Sequence, residues 1–171
     1  METATYETLK SAYEPVVSHL RECEFSGDGW RKFFSYRDLG LTTATQGEYA
    51  MRVVRAQSGA AVSTGWHHHV LNAQIIYCLN GWEAIALEDG RVIKLIRDTC
   101  LNIPPGFLHN EIGYSADLEM LVITNPADVK TIAAEAPSGW DDARMQAELA
   151  WQISGEQLFA PWSWQAANSG S

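Results

Sequence analysis

The spacing of hydrophobic positions changes twice along the chain. Over residues 4–24 apolar side chains recur every three to four residues, which predicts a helix that Pro15 interrupts. Residues 47–124 instead hold short runs rich in Val, Ile and Leu, and these predict strands: GEYAMRVVRA, AQIIYCLN, WEAIALE, RVIKLIR and LEMLVIT. A helical pattern returns over residues 127–136 and 141–153. The pattern therefore predicts a β core with a helical arm at each end.

Turn residues separate the predicted strands at intervals of roughly ten residues. Asn80-Gly81 and Asp89-Gly90 tolerate the positive φ angles of two-residue turns, so each pair predicts a hairpin. Strands at this spacing indicate a sandwich or barrel of antiparallel sheets. The block holds no helical pattern long enough for alternating strand–helix units, so the expected fold class is all-β.

The composition is that of a single globular domain of 171 residues, with 46% hydrophobic residues and enough chain to bury its own core. Three cysteines at long spacings, Cys23, Cys78 and Cys100, form no disulfide pattern and indicate a reducing compartment. We find no apolar run of membrane-spanning length and no signal-peptide pattern at the N-terminus. The expected location is the cytoplasm.

The net charge narrows the class of partner. The chain carries 21 acidic and 12 basic residues, for a formal charge of −9. An acidic surface repels phosphate backbones and anionic lipids, so nucleic acid and membrane are poor partners. A small molecule is the expected partner.

The candidate chemistry lies in a histidine triplet and one later histidine. In a strand, His67 and His69 point to the same face, while His68 points to the other. A third imidazole would have to come from another strand, and His109 is the nearest candidate in the predicted β block. Imidazole suits first-row divalent ions, so these residues predict a site for one ion of Fe, Mn, Ni, Zn, Co or Cu.

These histidines and their neighbours resemble the first sequence motif of the cupin family, whose small β-barrels hold a metal ion inside. That motif places a glycine before His-x-His and a glutamate and a second glycine after it. Here His67 and His69 are followed at the family spacing by Gln74 and Gly81. Ala61 stands where the family has the leading glycine, and Gln74 stands where most metal cupins have glutamate.

The second cupin motif is also recognisable. Pro104, Gly106 and His109 match its Pro-x-Gly and histidine positions. Asp98 replaces its first glycine, and Gly113 replaces its terminal asparagine.

The resemblance implies a jelly-roll (double-stranded β-helix) barrel over residues 40–125. Residues 1–39 and 126–171 would form helical arms, and two copies of the chain would form a homodimer. Carried over by position, the metal ligands would be His67, His69, Gln74 and His109.

Glutamine at position 74 changes the chemistry that the resemblance implies. Gln74 is open to two interpretations, a metal ligand or a hydrogen-bonding neighbour of the ligands. In either case an amide cannot act as a general base, and a neutral ligand set leaves the ion its full positive charge as a Lewis acid. The proton acceptor is unassigned; metal-bound hydroxide or another side chain such as Tyr77 would have to serve.

The resemblance leaves three functions open. The first expectation is a dioxygenase acting on a ketone, enol or aromatic substrate, since this chemistry is common in the family. The second is a Lewis-acid lyase or isomerase of the uronate or hydroxynitrile type, which Gln74 favours. The third is a cupin that binds a small molecule without turning it over.

Several aromatic and basic residues are open to a functional or a structural interpretation. Trp66, Tyr77 and Phe107 flank the motifs and would line a substrate pocket or pack in the core or a dimer interface. Three cations would contact a substrate carboxylate or lie at solvated strand edges: Arg52, Arg55 and Lys94.

Overall fold

Two antiparallel sheets of five strands each form the fold. The protein is described by a computed structural model that covers residues 15–27, 29, 31–57, 63–143, 146, 147 and 150. In chain order the elements are β1 Phe34–Asp38, α1 Leu41–Ala44, β2 Ala50–Ala56, β3 His67–Val70, β4 Ala73–Asn80, β5 Trp82–Leu87, β6 Val92–Ile96, β7 Cys100–Ile103, β8 His109–Tyr114, β9 Glu119–Asn125 and β10 Lys130–Ala133. The all-β class expected from the sequence is confirmed.

The chain crosses between the sheets at most of its connections. The first sheet has the order β1-β2-β9-β4-β7, and the second has the order β10-β3-β8-β5-β6. From β3 onward, among the described strands, β5 and β6 are the one consecutive pair that stays in the same sheet. This alternation is the connectivity of a jelly roll, and it places strands that are distant in sequence side by side.

Alternating side chains build the interior between the sheets. On β4 and β9 every second residue is buried while the residues between them are more exposed, as expected for strands with one face on a core. Ile85, Leu95 and Leu118 are fully buried in the apolar core. The buried positions on β4 and β9 are Gln74, Ile76, Cys78, Met120, Val122 and Thr124.

The five predicted strands are present as β2, β4, β5, β6 and β9. The hairpin predicted at Asp89-Gly90 is confirmed, because β5 and β6 pair antiparallel across it. The hairpin predicted at Asn80-Gly81 is wrong, because β4 and β5 lie in different sheets. Gly81 has a φ of 67°, so the predicted turn is present. It forms a corner that connects a strand of one sheet to a strand of the other, instead of closing a hairpin.

The predicted helical arms agree less well with the structure than the predicted strands do. Residues 4–14 of the first predicted helix lie outside the described residues, and residues 15–24 form a turn without a helix. The helix predicted over residues 127–136 is wrong, since β10 occupies this segment and pairs with β3. Long-range pairing here overrides a weak local helical preference. No helix among the described residues is long and apolar enough to cross a membrane.

The sheets also extend beyond residues 40–125, because β1 precedes this range and β10 follows it. Helical backbone is present at residues 142, 143, 146, 147 and 150, within the last predicted helix. The rest of that helix, from residue 151, lies outside the described residues. How the chain divides into domains stays a prediction.

The corner at Gly81 should be sensitive to substitution. A Cβ at Gly81 would meet Ser115 Oγ and would lie 2.8 Å from Leu118 Cα. Gly90 also has a positive φ, of 86°, but a Cβ there meets nothing within 4 Å. We expect Gly90→Ala to cost about 1–2 kcal/mol of unfolding free energy from φ alone. Gly81→Ala should cost at least ~1 kcal/mol more.

Urea unfolding of the two variants and the parent protein measures this difference. Equal losses for both variants would show that the corner relaxes without strain.

Candidate metal centre

A cavity of about 330 Å³ lies between the two sheets. Strands of the second sheet line it with polar side chains that include the imidazoles of His67 and His69. The opposite wall comes from the first sheet and is largely apolar. The residues of that wall include Phe34, Val54, Ile76, Met120 and Val122.

The three histidines predicted as ligands cluster together, and two of them, His67 and His69, line this cavity. His67 on β3 lies directly opposite His109 on β8, and His69 follows on the same face of β3. The potential ligand atoms of these three side chains all lie within 4.8 Å of one another. His109 is fully buried, and His67 is 3% exposed.

The outward nitrogen of each ring is held by the protein. His67 Nδ1 lies 2.8 Å from the carbonyl oxygen of Gly65, and His109 Nδ1 lies 2.9 Å from that of Phe107. A carbonyl oxygen only accepts, so both rings carry a proton on Nδ1, and in its neutral form each ring presents a lone pair on Nε2. His69 Nδ1 lies 3.0 Å from Thr131 Oγ1, which orients the third ring. Partners of this kind fix the tautomer that binds metal.

The unpaired atoms of the site fit a metal ion. His109 Nε2 and Gln74 Oε1 are buried and have no hydrogen-bond partner among the described residues. Burial, with smaller contributions from His109 and His67, lowers the pKa of His69 to about 4, and burial also lowers the pKa of His109. Neutral imidazoles and an amide oxygen are donors that a divalent transition metal accepts. Gln74 lines the same cavity, from the first sheet.

Glu111 is a site residue that the sequence interpretation missed. Its carboxylate oxygens lie 3.7 Å from His67 Nε2 and 3.9 Å from His109 Nε2. The Thr64 hydroxyl donates a hydrogen bond to it. Because Glu111 lies two residues after His109 on β8, strand alternation alone would have placed both on one face.

A second carboxyl group, Glu83 on β5, also lines the cavity and is 2% exposed. Burial, reinforced by the negative charge of Glu111, raises the pKa of Glu83 well above its usual value. Burial acts in the same direction on Glu111, but His67, His109 and the Thr64 hydroxyl outweigh it and lower the pKa of Glu111. The surroundings thus move the pKa values of the two carboxyl groups of this cavity in opposite directions.

Arg31, just before β1, is the third missed residue. Its guanidinium lines the cavity, with Nη2 3.5 Å from His67 Nε2. The segment carries no motif, and the sequence interpretation assigned it to a helical arm.

The aromatic residues predicted for the substrate pocket do not line this cavity. Trp66 is buried against Trp140, with ring centroids 4.7 Å apart. Tyr77 alternates with the inward-facing residues of β4, and its hydroxyl donates to Asp98. Phe107 packs against the apolar core, so its contribution to the site is the carbonyl that holds His109.

The three cations left open between a substrate contact and a solvated strand edge also lie away from the cavity. Arg52 pairs with Asp38, and Arg55 pairs with Glu119. Lys94 lies over the ring of Trp82. None of the three is among the residues that line the cavity.

Sequence comparison finds no relative. No protein-family model matches the chain, and no curated protein resembles it at a significant level.

Solved structures are similar in fold at low identity. KdgF from Halomonas sp. superposes with a TM-score of 0.55 and 16% identity, over 67% of this chain and 96% of its own. The polyketide cyclase RemF from Streptomyces resistomycificus gives a TM-score of 0.54 and 20% identity, over 70% and 87%. A cupin-superfamily sugar phosphate isomerase from Silicibacter pomeroyi gives 0.53 and 16%, over 70% and 82%.

The strand order, the histidine cluster and these similarities define the class of fold. The chain has the cupin fold, as its two motifs predicted.

The metal centre predicts a sharp difference between two histidines. His109→Ala removes an imidazole from the cluster and should lower Zn²⁺ affinity by more than about 100-fold, beyond the loss typical of a group that only orients a ligand. His68→Ala is the matched control, because His68 belongs to the same triplet but is not one of the three clustered histidines. Competition with a chelator of known affinity measures both. Unchanged affinity in His109→Ala would remove His109 from the ligand set.

Glu83 predicts a dependence of stability on pH. The pKa of Glu83 is higher in the folded protein than in the unfolded chain. Its contribution to the free energy of unfolding is therefore fully present at a pH below the unfolded-state pKa, and it is lost as the pH rises through the folded-state pKa. The stability advantage of Glu83→Gln over the parent protein should therefore grow as the pH rises above the usual glutamate pKa of 4.5. A shift in Tm of about 2–4 °C corresponds to ~1 kcal/mol in a chain of this size and is readily measured.

Thermal unfolding with a chelator present keeps metal binding out of this comparison. A stability difference that stays constant with pH would contradict the raised pKa.

Proposed function

We propose that this protein is a metal-dependent enzyme that moves protons on a small organic molecule by Lewis-acid chemistry, as isomerases, lyases and cyclases do. The position of Glu111 carries the proposal, because a carboxylate lies 3.7–3.9 Å from the Nε2 atoms of two candidate metal ligands. It supplies the proton acceptor that Gln74 cannot be. A divalent ion at the imidazoles would polarise a carbonyl or hydroxyl oxygen and acidify the neighbouring C–H or O–H group.

The two carboxyl groups suit opposite roles in proton transfer. The lowered pKa of Glu111 favours its carboxylate form, which would accept a proton from the substrate. The raised pKa of Glu83 favours its protonated form, which would donate one from the neighbouring strand. Pairs of carboxyl groups whose surroundings move their pKa values apart are typical of acid–base catalysis.

The apolar wall has a separate role. Phe34, Ile76 and Val122 would contact the carbon skeleton of a substrate and exclude water from the cavity. Water exclusion strengthens the electrostatic effect of every charged group there.

Two of the structural neighbours support this class of reaction. RemF is a polyketide cyclase and the Silicibacter pomeroyi protein is a sugar phosphate isomerase, and both names describe reactions on small molecules. A dioxygenase is the second candidate, and the apolar wall facing a cluster of neutral imidazoles favours it, because such a pocket suits a ketone, enol or aromatic substrate with O₂.

Hydrogen–deuterium exchange separates the two candidates. The metal-loaded protein should exchange the methyl protons of pyruvate for deuterium equally fast in air and under nitrogen, as followed by NMR. Oxygen uptake with small ketones, measured with an electrode, would favour the dioxygenase instead. Binding of these compounds with neither exchange nor oxygen uptake would favour a binding protein.

Glu111→Gln should lower the rate of this exchange by about 10²- to 10⁴-fold, the usual contribution of a general base. The amide has nearly the same shape, so Zn²⁺ affinity should change little. Glu119→Gln is the matched control, because Glu119 pairs with Arg55 away from the cavity. If Glu111→Gln instead loses metal in chelator competition, Glu111 is a metal ligand and a different base is required.

A further inference from the structure

Arg31 is the one arginine or lysine, among the described residues, that lines the cavity. Its Nη2 lies 3.5 Å from His67 Nε2. Its guanidinium forms no ion pair with a carboxylate among the residues that the structure describes, unlike Arg52 and Arg55. A cation in a protein cavity without a carboxylate partner is a candidate for binding an anionic ligand.

The backbone holds Arg31 in place. Its N–H donates to Tyr36 Oη at 2.9 Å, and its carbonyl accepts from the N–H of Phe34 at 3.2 Å. Burial raises the pKa of Tyr36 to about 12, so the phenol stays neutral. These contacts form a tight turn before β1 that directs Arg31 toward the imidazoles.

His67 cannot satisfy both Arg31 and a metal ion. Its Nδ1–H donates to Gly65, so Nε2 has a single lone pair in the ring plane. With His67 as a ligand, that lone pair binds the ion, and the Nη2–H of Arg31 needs another acceptor close to the ion. A buried donor without an acceptor is costly, so the site favours a ligand that supplies one.

Charge points to the chemistry of that acceptor. The positive charges of a divalent ion and Arg31 together exceed the single negative charge of an ionised Glu111. Neutral imidazoles and Gln74 add no charge. An anionic oxygen group would restore the balance. The planar guanidinium matches a carboxylate through two parallel hydrogen bonds, and a cavity of about 330 Å³ suits a compact molecule.

We propose that Arg31 binds the carboxylate of a small anionic substrate, which it holds beside the ion at the three imidazoles. The inference rests on the proposed function, since it assigns the substrate class of the same site. The substrate is a small carboxylic acid that carries a second oxygen, such as a 2-oxo or 2-hydroxy acid, within reach of the ion.

Ligand binding to the metal-loaded protein tests this assignment. Calorimetry would compare pyruvate with methyl pyruvate, which has the same ketone but no charge. Arg31→Met should weaken pyruvate binding by about 10- to 100-fold, the range for a charge-assisted hydrogen bond. Methyl pyruvate binding and Zn²⁺ affinity should stay within about threefold. Arg31→Lys keeps the charge and should recover part of the loss.

Arg55→Met is the matched control, because Arg55 is a surface residue paired with Glu119, and it should bind pyruvate like the parent protein. Equal pyruvate affinity in Arg31→Met and the parent would overturn the proposal. So would tighter binding of inorganic phosphate than of pyruvate. If the protein takes up no metal, the proposed function fails, yet pyruvate binding that Arg31→Met abolishes would still support the anion site.

Discussion

The pairing of His67 with His109 is the contact on which the site depends. Among the described residues, His67 and His109 are the single pair that lie directly opposite each other on β3 and β8, and they are far apart in sequence. Strand alternation then directs His69 and Glu111 to the same inner face. Shifting either strand by one residue would turn its functional side chains away from the cavity. The chemistry of the cavity is therefore set by strand register.

The strand after the cupin motifs supports this pairing from the other side. β10 pairs with all four residues of β3, and its Thr131 lies opposite His69 and within hydrogen-bond distance of the ring. A segment predicted as a helical arm is thus part of the wall that orients a candidate ligand. The local sequence could not show this, because the strand is specified by its partner rather than by its own composition.

The site divides into residues that sequence predicts and residues that it does not. Spacing within the motifs was enough to place the three histidines and Gln74, and alternation would have added Glu111. Glu83 lines the cavity from β5, which pairs with β8 across an irregular register. Arg31 reaches it through contacts with Tyr36. Both lack a local pattern, and their positions follow from tertiary structure alone.

The position of the carboxylate has a chemical consequence. A glutamate at position 74 would be bound to the ion, which would lower its basicity and neutralise part of the ion's charge. With Gln74 in that position, an ion bound at the imidazoles would keep its strength as a Lewis acid, and Glu111 on the opposite sheet would remain available for a proton. Burying Glu83 in the same cavity opposes folding as the pH rises above its usual pKa, because burial disfavours its charged form. Two carboxyl groups whose pKa values are moved in opposite directions beside a candidate cation site suit proton transfer, and stability alone would not favour them.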